Sequence, residues 1–516
     1  MKTKSCIISA LALAATGCAS EGDLLLTRDN VTMLPTSADV AAGTTRHGQA
    51  RIVGDLDNDG MDEIVVIDPD LQIPGDTPEC EARAANCRVR GGMHLVYGRE
   101  DWTGVTDLIS AGVRVEADHT WGNGGLTVDR AGDLDGDGFD DLVVVYAPWF
   151  PCSILGPYDD ATPADARHGR VYVVYGGRQR LTAPVRIGAI AAATMVDPGS
   201  CTLRGASALG DIDDDGLADV AIRTQSPAPG QSRSYVFYGR RARLGGPVDL
   251  VAAADAALRG GSTSVILEPT AAGDVDDDGI DDWLAREVGA DSARSSAAVV
   301  RGSVTRLIGD VAVPEIASTK AEWDGFDIRS GGDLDGDGRA DLIALEVTPV
   351  PGSSPGDGQL RQRVLIAYGR PGASATIPAD GWDAQIDLGN EVSDTTTAFV
   401  DRTGDGRLDV VVGHSAYAEG RGAAHVIPGS TTRFAGELSI KRPPFFSYLG
   451  GVSELRCGPP PDEYECPSPD LAGRTVSAGD INGDGREDLL VDAPSASGGS
   501  GHGVDHPSRA YLLLGK

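Results

Sequence analysis

Seven times along the 516-residue chain an aspartate is followed, at alternate positions, by further oxygen-bearing side chains, with glycine in the sixth place. The first copy carries Asp55, Asp57, Asp59 and Glu63; the second Asp133, Asp135, Asp137 and Asp141; the third Asp211, Asp213, Asp215 and Asp219. Asp274, Asp276, Asp278 and Asp282 form the fourth, and Asp333, Asp335, Asp337 and Asp341 the fifth. The sixth has Asp401, Thr403, Asp405 and Asp409, and the seventh Asp480, Asn482, Asp484 and Asp488. In a tight loop the odd positions point inward, so side chains at 1, 3, 5 and 9 and a backbone carbonyl at 7 converge on one hard cation. The seventh-place carbonyls belong to Met61, Phe139, Leu217, Ile280, Arg339, Arg407 and Arg486.

An oxygen-rich, multidentate cage suits calcium better than magnesium, and no His or Cys enters the pattern as zinc would require. Without metal, carboxylates roughly 4 Å apart repel by about 1 to 4 kcal/mol per pair at surface-like dielectric. Six or seven calcium ions are expected. Thr403 at position 3 and Val400 in place of the preceding glycine make the sixth loop the weakest; Asn482 is neutral but still an oxygen donor, and Glu63 is a longer ligand. An EF-hand would need Glu at position 12, where the second copy has Val144, and flanking helices where this chain has strand-like runs.

Each loop has the same surroundings. A small-residue strand precedes it ("RGASALGD", "RTVSAGD"), an apolar run follows it ("LVVVYAP", "LLVDAP"), and a third segment ends at glycine ("RVYVVYG", "RVLIAYG", "RAYLLLG"). A weaker run, such as "PVRIGAI" or "GELSIKR", then leads to the next copy. Four strands per repeat, repeated radially, make an all-β seven-bladed β-propeller. The chain ends on the third strand of the last repeat, so residues around Leu24 to Leu34 are expected to supply that blade's missing outer strand and hide an edge that would otherwise aggregate.

These repeats resemble the FG-GAP repeats of the integrin α-subunit propeller and their bacterial relatives. The seventh, "AGRTVSAGDINGDGREDLLVDAP" through "AYLLLG", is nearest, with Asp492, Ala493 and Pro494 in the GAP place; Ala147 and Pro148 echo it in the second, and Ala472 and Gly473 stand at the FG half. Integrins usually carry the metal loop in only some blades, so a loop in every repeat is more similar to the bacterial relatives.

The formal charge of −33 excludes a nucleic-acid binder, which needs clustered Lys and Arg, while 41% hydrophobic residues argue against disorder. Lys2 and Lys4, the apolar Cys6 to Ala15 and the small residues up to Cys18 read as an export signal. "LAATGCAS" resembles the lipobox of bacterial lipoproteins, which implies a lipid on Cys18 and a protein tethered to the outer membrane or cell surface. Residues 1–17 are then a signal peptide, 18–23 a short tether and 24–516 the propeller. Six further cysteines in an oxidising compartment favour disulfides among fifteen possible pairings. Closeness in sequence suggests Cys80 with Cys87 and Cys457 with Cys466, which leaves Cys152 with Cys201.

In a four-stranded blade the 1–2 and 3–4 connections share one face and the 2–3 and 4–1 connections the other. The metal loops are 1–2 connections. The long insertions, Pro69 to Arg90, Pro148 to His168, Thr348 to Gln362 and Pro443 to Leu471, belong to the opposite face, together with aromatics that include Trp121, Trp149, Phe150, Tyr158, Trp323, Phe326, Tyr417, Phe445, Phe446, Tyr448 and Tyr464. That face is expected to bind a ligand. A protein-binding or adhesion module is favoured. A lectin would show similar aromatic pockets in successive blades, and a calcium-dependent polysaccharide lyase would meet repulsion between an acidic sugar and this acidic chain. No CxxC or HExxH string appears.

Overall fold

The computed structural model describes residues 24–25, 32–35, 49–68, 91–102, 108–118, 125–147, 169–196, 203–226, 230–262, 264–289, 295–350, 360–370, 376–391, 395–450, 452–457, 464–469, 471–493 and 509–515. Seven sheets form the blades of one propeller, and the two-stranded hairpin of Val452–Cys457 and Tyr464–Pro469 is set between the sixth and the seventh. In blade two the antiparallel strands are Gly125–Gly132, Asp141–Ala147, Arg170–Val174 and Ala193–Val196. First strands of neighbouring blades pack against one another around the ring, except between blades one and two, where the second strand Ile64–Asp68 meets Gly125–Gly132.

The second strands read as unbroken apolar runs because both of their faces are covered. In blade two Leu142, Val144 and Tyr146 pack towards blade one, while Val143 and Val145 pack towards blade three. Every pair of neighbouring blades encloses such a cluster. The seam is no exception: Ala50, Ile52, Ile64 and Val66 of blade one meet Leu490, Ala510 and Leu512 of blade seven.

Each of the first six blades gains a fifth strand that the sequence did not reveal. Gly246–Asp249, which lies between the third and fourth strands of blade three, pairs in parallel with the outer strand of blade two, Ala193–Val196. Val185–Arg186, Gly309–Ala312, Thr376–Ile377 and Gly436–Ser439 do the same for blades one, three, four and five. The runs "PVRIGAI" and "GELSIKR" are therefore not fourth strands, as expected from sequence. They are straps laid on the preceding blade, and the true fourth strands of blades two and six are Ala193–Val196 and Phe446–Leu449. In blades two to four a one-turn helix follows the strap and plugs the boundary with one buried residue: Ile187, Leu250 or Val313.

The N-terminal segment closes the ring twice. Thr32–Pro35 pairs antiparallel with Arg509–Leu513 as the fourth strand of blade seven, as the sequence led us to expect. Leu24–Leu25 pairs in parallel with Tyr448 and Leu449 and is the strap of blade six. Both ends of the chain thus meet inside one blade. No helix among the described residues is long and apolar enough to cross a membrane.

Two expectations about the opposite face are corrected. The segment from Pro443 to Leu471 is not one insertion, since it holds the fourth strand Phe446–Leu449 and the hairpin; Thr348–Gln362 narrows because Asp341–Pro349 and Leu360–Ala367 extend into it. Trp323, Phe445 and Tyr448 are core residues, buried between blades, because strand ends reach further than the turn residues suggested. Trp121, Trp149, Phe150 and Tyr158 lie outside the described residues, as do Cys18, Cys80, Cys87, Cys152 and Cys201. In the hairpin Cys457 stands opposite Tyr464, and Cys466 opposite Leu455.

Candidate metal centres

All seven loops are built alike, and the first aspartate is their template. In blade two Asp133 accepts hydrogen bonds from the backbone N–H of Gly136 at 2.7 Å, Asp137 at 3.2 Å and Gly138 at 2.8 Å. Asp401 and Asp480 do the same for Gly404, Asp405 and Gly406 and for Gly483, Asp484 and Gly485, so loops six and seven fold correctly despite Thr403 and Asn482. The sixth-place residue, Gly138 here, has φ of 86°, a region that L side chains avoid. The fifth-place carboxylate accepts the N–H of the seventh residue: Met61 to Asp59, Phe139 to Asp137, Leu217 to Asp215, Ile280 to Asp278, Arg339 to Asp337, Arg407 to Asp405 and Arg486 to Asp484.

The ninth-place acid ties the loop to the rest of its blade. Asp141 accepts from the N–H of Leu134 at 2.8 Å through one oxygen and from the N–H of Gly176, at the end of the third strand, through the other at 2.8 Å. The same glycine serves Asp219, Asp282, Asp341, Asp409 and Asp488 through Gly239, Gly302, Gly369, Gly429 and Gly515. A Cβ on Gly176 would lie 2.4 Å from the carbonyl oxygen of Asp140, so only glycine fits. This partner of the site was missed from sequence, although every third segment visibly ended in it.

The structure brings the acids at positions 1, 3 and 9 to within 4.8 Å of one another in five loops: Asp55, Asp57 and Glu63; Asp133, Asp135 and Asp141; Asp211, Asp213 and Asp219; Asp274, Asp276 and Asp282; Asp333, Asp335 and Asp341. The fifth-place acids stand outside these groups. In loops six and seven Thr403 and Asn482 take the place of the third acid.

The donors fit a hard cation. Asp57 Oδ1, Glu63 Oε1 and Asp213 Oδ1 are buried oxygens with no hydrogen-bond partner, and Asp57, Glu63 and Asp213 are 7%, 0% and 5% exposed. Glu63 has an oxygen to spare because its side chain is one carbon longer than the aspartate of the other loops. Burial, reinforced by neighbouring carboxylates and opposed by backbone N–H bonds, pushes Glu63 up to about 9, Asp141, Asp219 and Asp341 to about 7, and Asp282 and Asp488 to about 6. A buried cluster that resists its own charge is relieved by a divalent ion.

Adjacent loops are also wired together. The eighth-place N–H of one loop donates to the first-place carbonyl of the loop before it: Asp62 to Asp480, Asp140 to Asp55, Ala218 to Asp133, Asp281 to Asp211 and Ala340 to Asp274. Through these bonds loops seven, one, two, three, four and five form one connected run along the rim.

The FG-GAP repeat model matches residues 129–174 and 472–513, which are the first three strands of blades two and seven. The integrin alpha pat-2 of Caenorhabditis briggsae is 25% identical over 211 residues, 39% of this chain and 15% of that one, so the match spans only a small part of the integrin. A crystal structure of a protein of unknown function from Dyadobacter fermentans overlaps 94% of this chain and 98% of its own at 10% identity, with a TM-score of 0.38. With FG-GAP repeats matched in blades two and seven and the same loop geometry in all seven, the chain is a seven-bladed β-propeller that carries FG-GAP repeats.

Proposed function

We propose that this propeller is a calcium-stabilised binding module, held at a membrane by a lipid on Cys18, that recognises a protein ligand on the face opposite the metal loops. The observation that carries this reading is the direction in which the chain enters the fold. Leu24–Leu25 runs parallel to Phe446–Leu449, whose start follows a 3–4 connection, so this strand begins at the metal-loop face. Five residues lie between Cys18 and Leu24, so the six Cα–Cα steps reach about 20 Å. A lipid there keeps the metal-loop rim near the bilayer and turns the other face outward.

The two faces differ in the way this role needs. On the metal side the loops repeat one geometry and spend their polar groups on each other. The 2–3 and 4–1 connections vary, from the single residue Asp324 to the stretch 450–474 that carries the hairpin, and variable loops on a rigid scaffold are where recognition is built. An integrin-like propeller is in keeping with adhesion to a protein.

The test uses the full mature chain on a protein and glycan array, with calcium and with chelator, alongside variants in which 69–90 and 148–168 are each replaced by a short Gly-Ser linker. Loss of a protein ligand with calcium content and melting temperature unchanged is expected. Ligand binding that survives both replacements, or selective glycan capture, would overturn the reading.

A further inference from the structure

Four arginines reach across blade boundaries onto the metal loops. Arg180, from blade two, bonds Asp57 and Asp59 of loop one; Arg243, from blade three, bonds Asp135 and Asp137 of loop two. Arg306 holds Asp213 and Asp215 from blade four, and Arg433 holds Asp335 and Asp337 from blade six. In each case Nε takes one oxygen of position 3 and Nη2 one oxygen of position 5.

Each guanidinium lies on a tyrosine of the blade it reaches. Arg180 stacks on Tyr97, Arg243 on Tyr175 and Arg306 on Tyr238 at 4.8 Å, and Arg433 on Tyr368 at 5.0 Å. The following residue then donates its N–H to that tyrosine's hydroxyl: Leu181 at 2.7 Å, Leu244 at 3.0 Å, Leu307 at 2.9 Å and Phe434 at 2.9 Å. Cation–π stacking and this hydrogen bond fix the fork before any metal arrives.

The exceptions follow the same logic. Blade four has Arg301 where the others have tyrosine, and Arg301 bonds Asp276 at 2.9 Å from within its own blade. Blades six and seven have Pro428 and Leu514 there, and theirs are the loops with Thr403 and Asn482 at position 3. An arginine is present wherever position 3 is a carboxylate.

We propose that Arg180, Arg243, Arg306 and Arg433 are positioning residues for a hard divalent cation, so that each of these metal sites is completed by the next blade. Holding one oxygen of position 3 outward turns the other inward, and in Asp57 and Asp213 that second oxygen is the buried one without a partner. The guanidinium stays outside the cage and aims its ligand. The inference rests on the calcium reading above and extends it from single loops to blade boundaries.

The test is calorimetric titration of the metal-stripped mature chain with calcium chloride, for wild type, Arg243→Lys, and the fourfold Lys variant at positions 180, 243, 306 and 433. Lysine keeps the charge but cannot span two carboxylates. One site in the single variant and four in the fourfold variant should bind calcium about tenfold more weakly, as is usual when a group orienting a metal ligand is lost. Loop four, with Arg301 intact, should keep wild-type affinity. Unchanged affinity with a lower melting temperature in chelator would make the arginines interblade clamps only. Tighter binding would make them competitors of the metal, and either result overturns the proposal. A wild-type chain that takes up no calcium would instead sink the calcium reading itself. The single variant keeps the test decisive if the fourfold variant does not fold.

Discussion

Asp55 and Asp140 exchange two hydrogen bonds across the boundary between blades one and two. The N–H of Asp55 donates to Asp140 Oδ2 at 3.0 Å, and the N–H of Asp140 donates to the Asp55 carbonyl at 3.0 Å. Asp480 with Asp62, and Asp211 with Asp281, repeat the exchange. Where the eighth residue is Ala218 or Ala340, only the backbone half remains. Asp140→Ala should therefore keep the fold but leave the Asp55 N–H unpaired, at a cost of about 1–3 kcal/mol. Denaturant unfolding with a shifted midpoint and an unchanged slope is the expected result; no shift would mean that water replaces the carboxylate freely.

Metal removal gives a second prediction. Five loops converge three acids, so purified protein should contain about five calcium ions, with loop seven as a weaker sixth through Asn482. Each site occupied at a hundredfold excess over its dissociation constant stabilises the fold by about 2.7 kcal/mol. Chelator should lower the melting temperature by a wide margin, and calcium should restore it. Elemental analysis finding one ion or fewer per chain contradicts the assignment.

The metal loops were legible because their chemistry is local: the turn needs Gly138, the cage needs Asp133, Asp135 and Asp141, and all lie within nine residues. The number of blades was legible for the same reason. What escaped depended on distant partners. Ala193–Val196 is a four-residue strand that follows a longer apolar run, and the strap within that run, including Val185, is only partly buried because it lies on the outer edge of another blade. Arg243 and Asp135 are far apart in sequence, and nothing near either residue names the other. Tyr448 falls within the stretch from Pro443 to Leu471 that reads as an insertion, but its side chain packs in the core between blades six and seven.

A buried histidine pair in blade six should make the fold acid-sensitive. His414 and His425 are both fully buried. His414 Nε2 bonds the Glu391 carbonyl, which can only accept, so His414 Nδ1 is left to accept from His425 Nε2 at 3.3 Å. Ser447 Oγ then donates to His425 Nδ1 at 2.8 Å. This single chain of tautomers needs both rings neutral. Burial holds both below the usual value of 6.5; the Glu391 side opposes the shift at His414, and His414 and Lys441 add to it at His425, where Tyr417 packs edge-on. Since the folded values lie below the unfolded ones, the stabilisation is complete above pH about 6.5 and is lost as pH falls. Between pH 7 and 5 the wild type should lose stability faster than a His414→Leu/His425→Leu double variant, in chelator and in calcium alike. Parallel pH profiles would show that the pair does not titrate in this range.

Closure of the ring is the most direct test of the architecture, because two deletions separate the two roles of the N-terminal segment. Removing the chain through Leu25 takes away only the strap of blade six, a two-residue parallel pairing, and should lower the melting temperature slightly while leaving one cooperative transition. Removing it through Pro35 also strips the fourth strand from blade seven and bares the edge of Arg509–Leu513. An unpaired edge beside an intact sheet recruits other chains, so this longer deletion should aggregate or unfold over a broad range. A linear array would lose only its terminal unit in either case. The core between blades one and seven, where Ile52 and Ile64 meet Leu490 and Leu512, holds the ends together even without the strand, so the loss should be graded and not total. Equal melting temperatures and equal solubility for the two deletions, read by calorimetry and size-exclusion chromatography, would show that Thr32–Pro35 is not what seals the propeller.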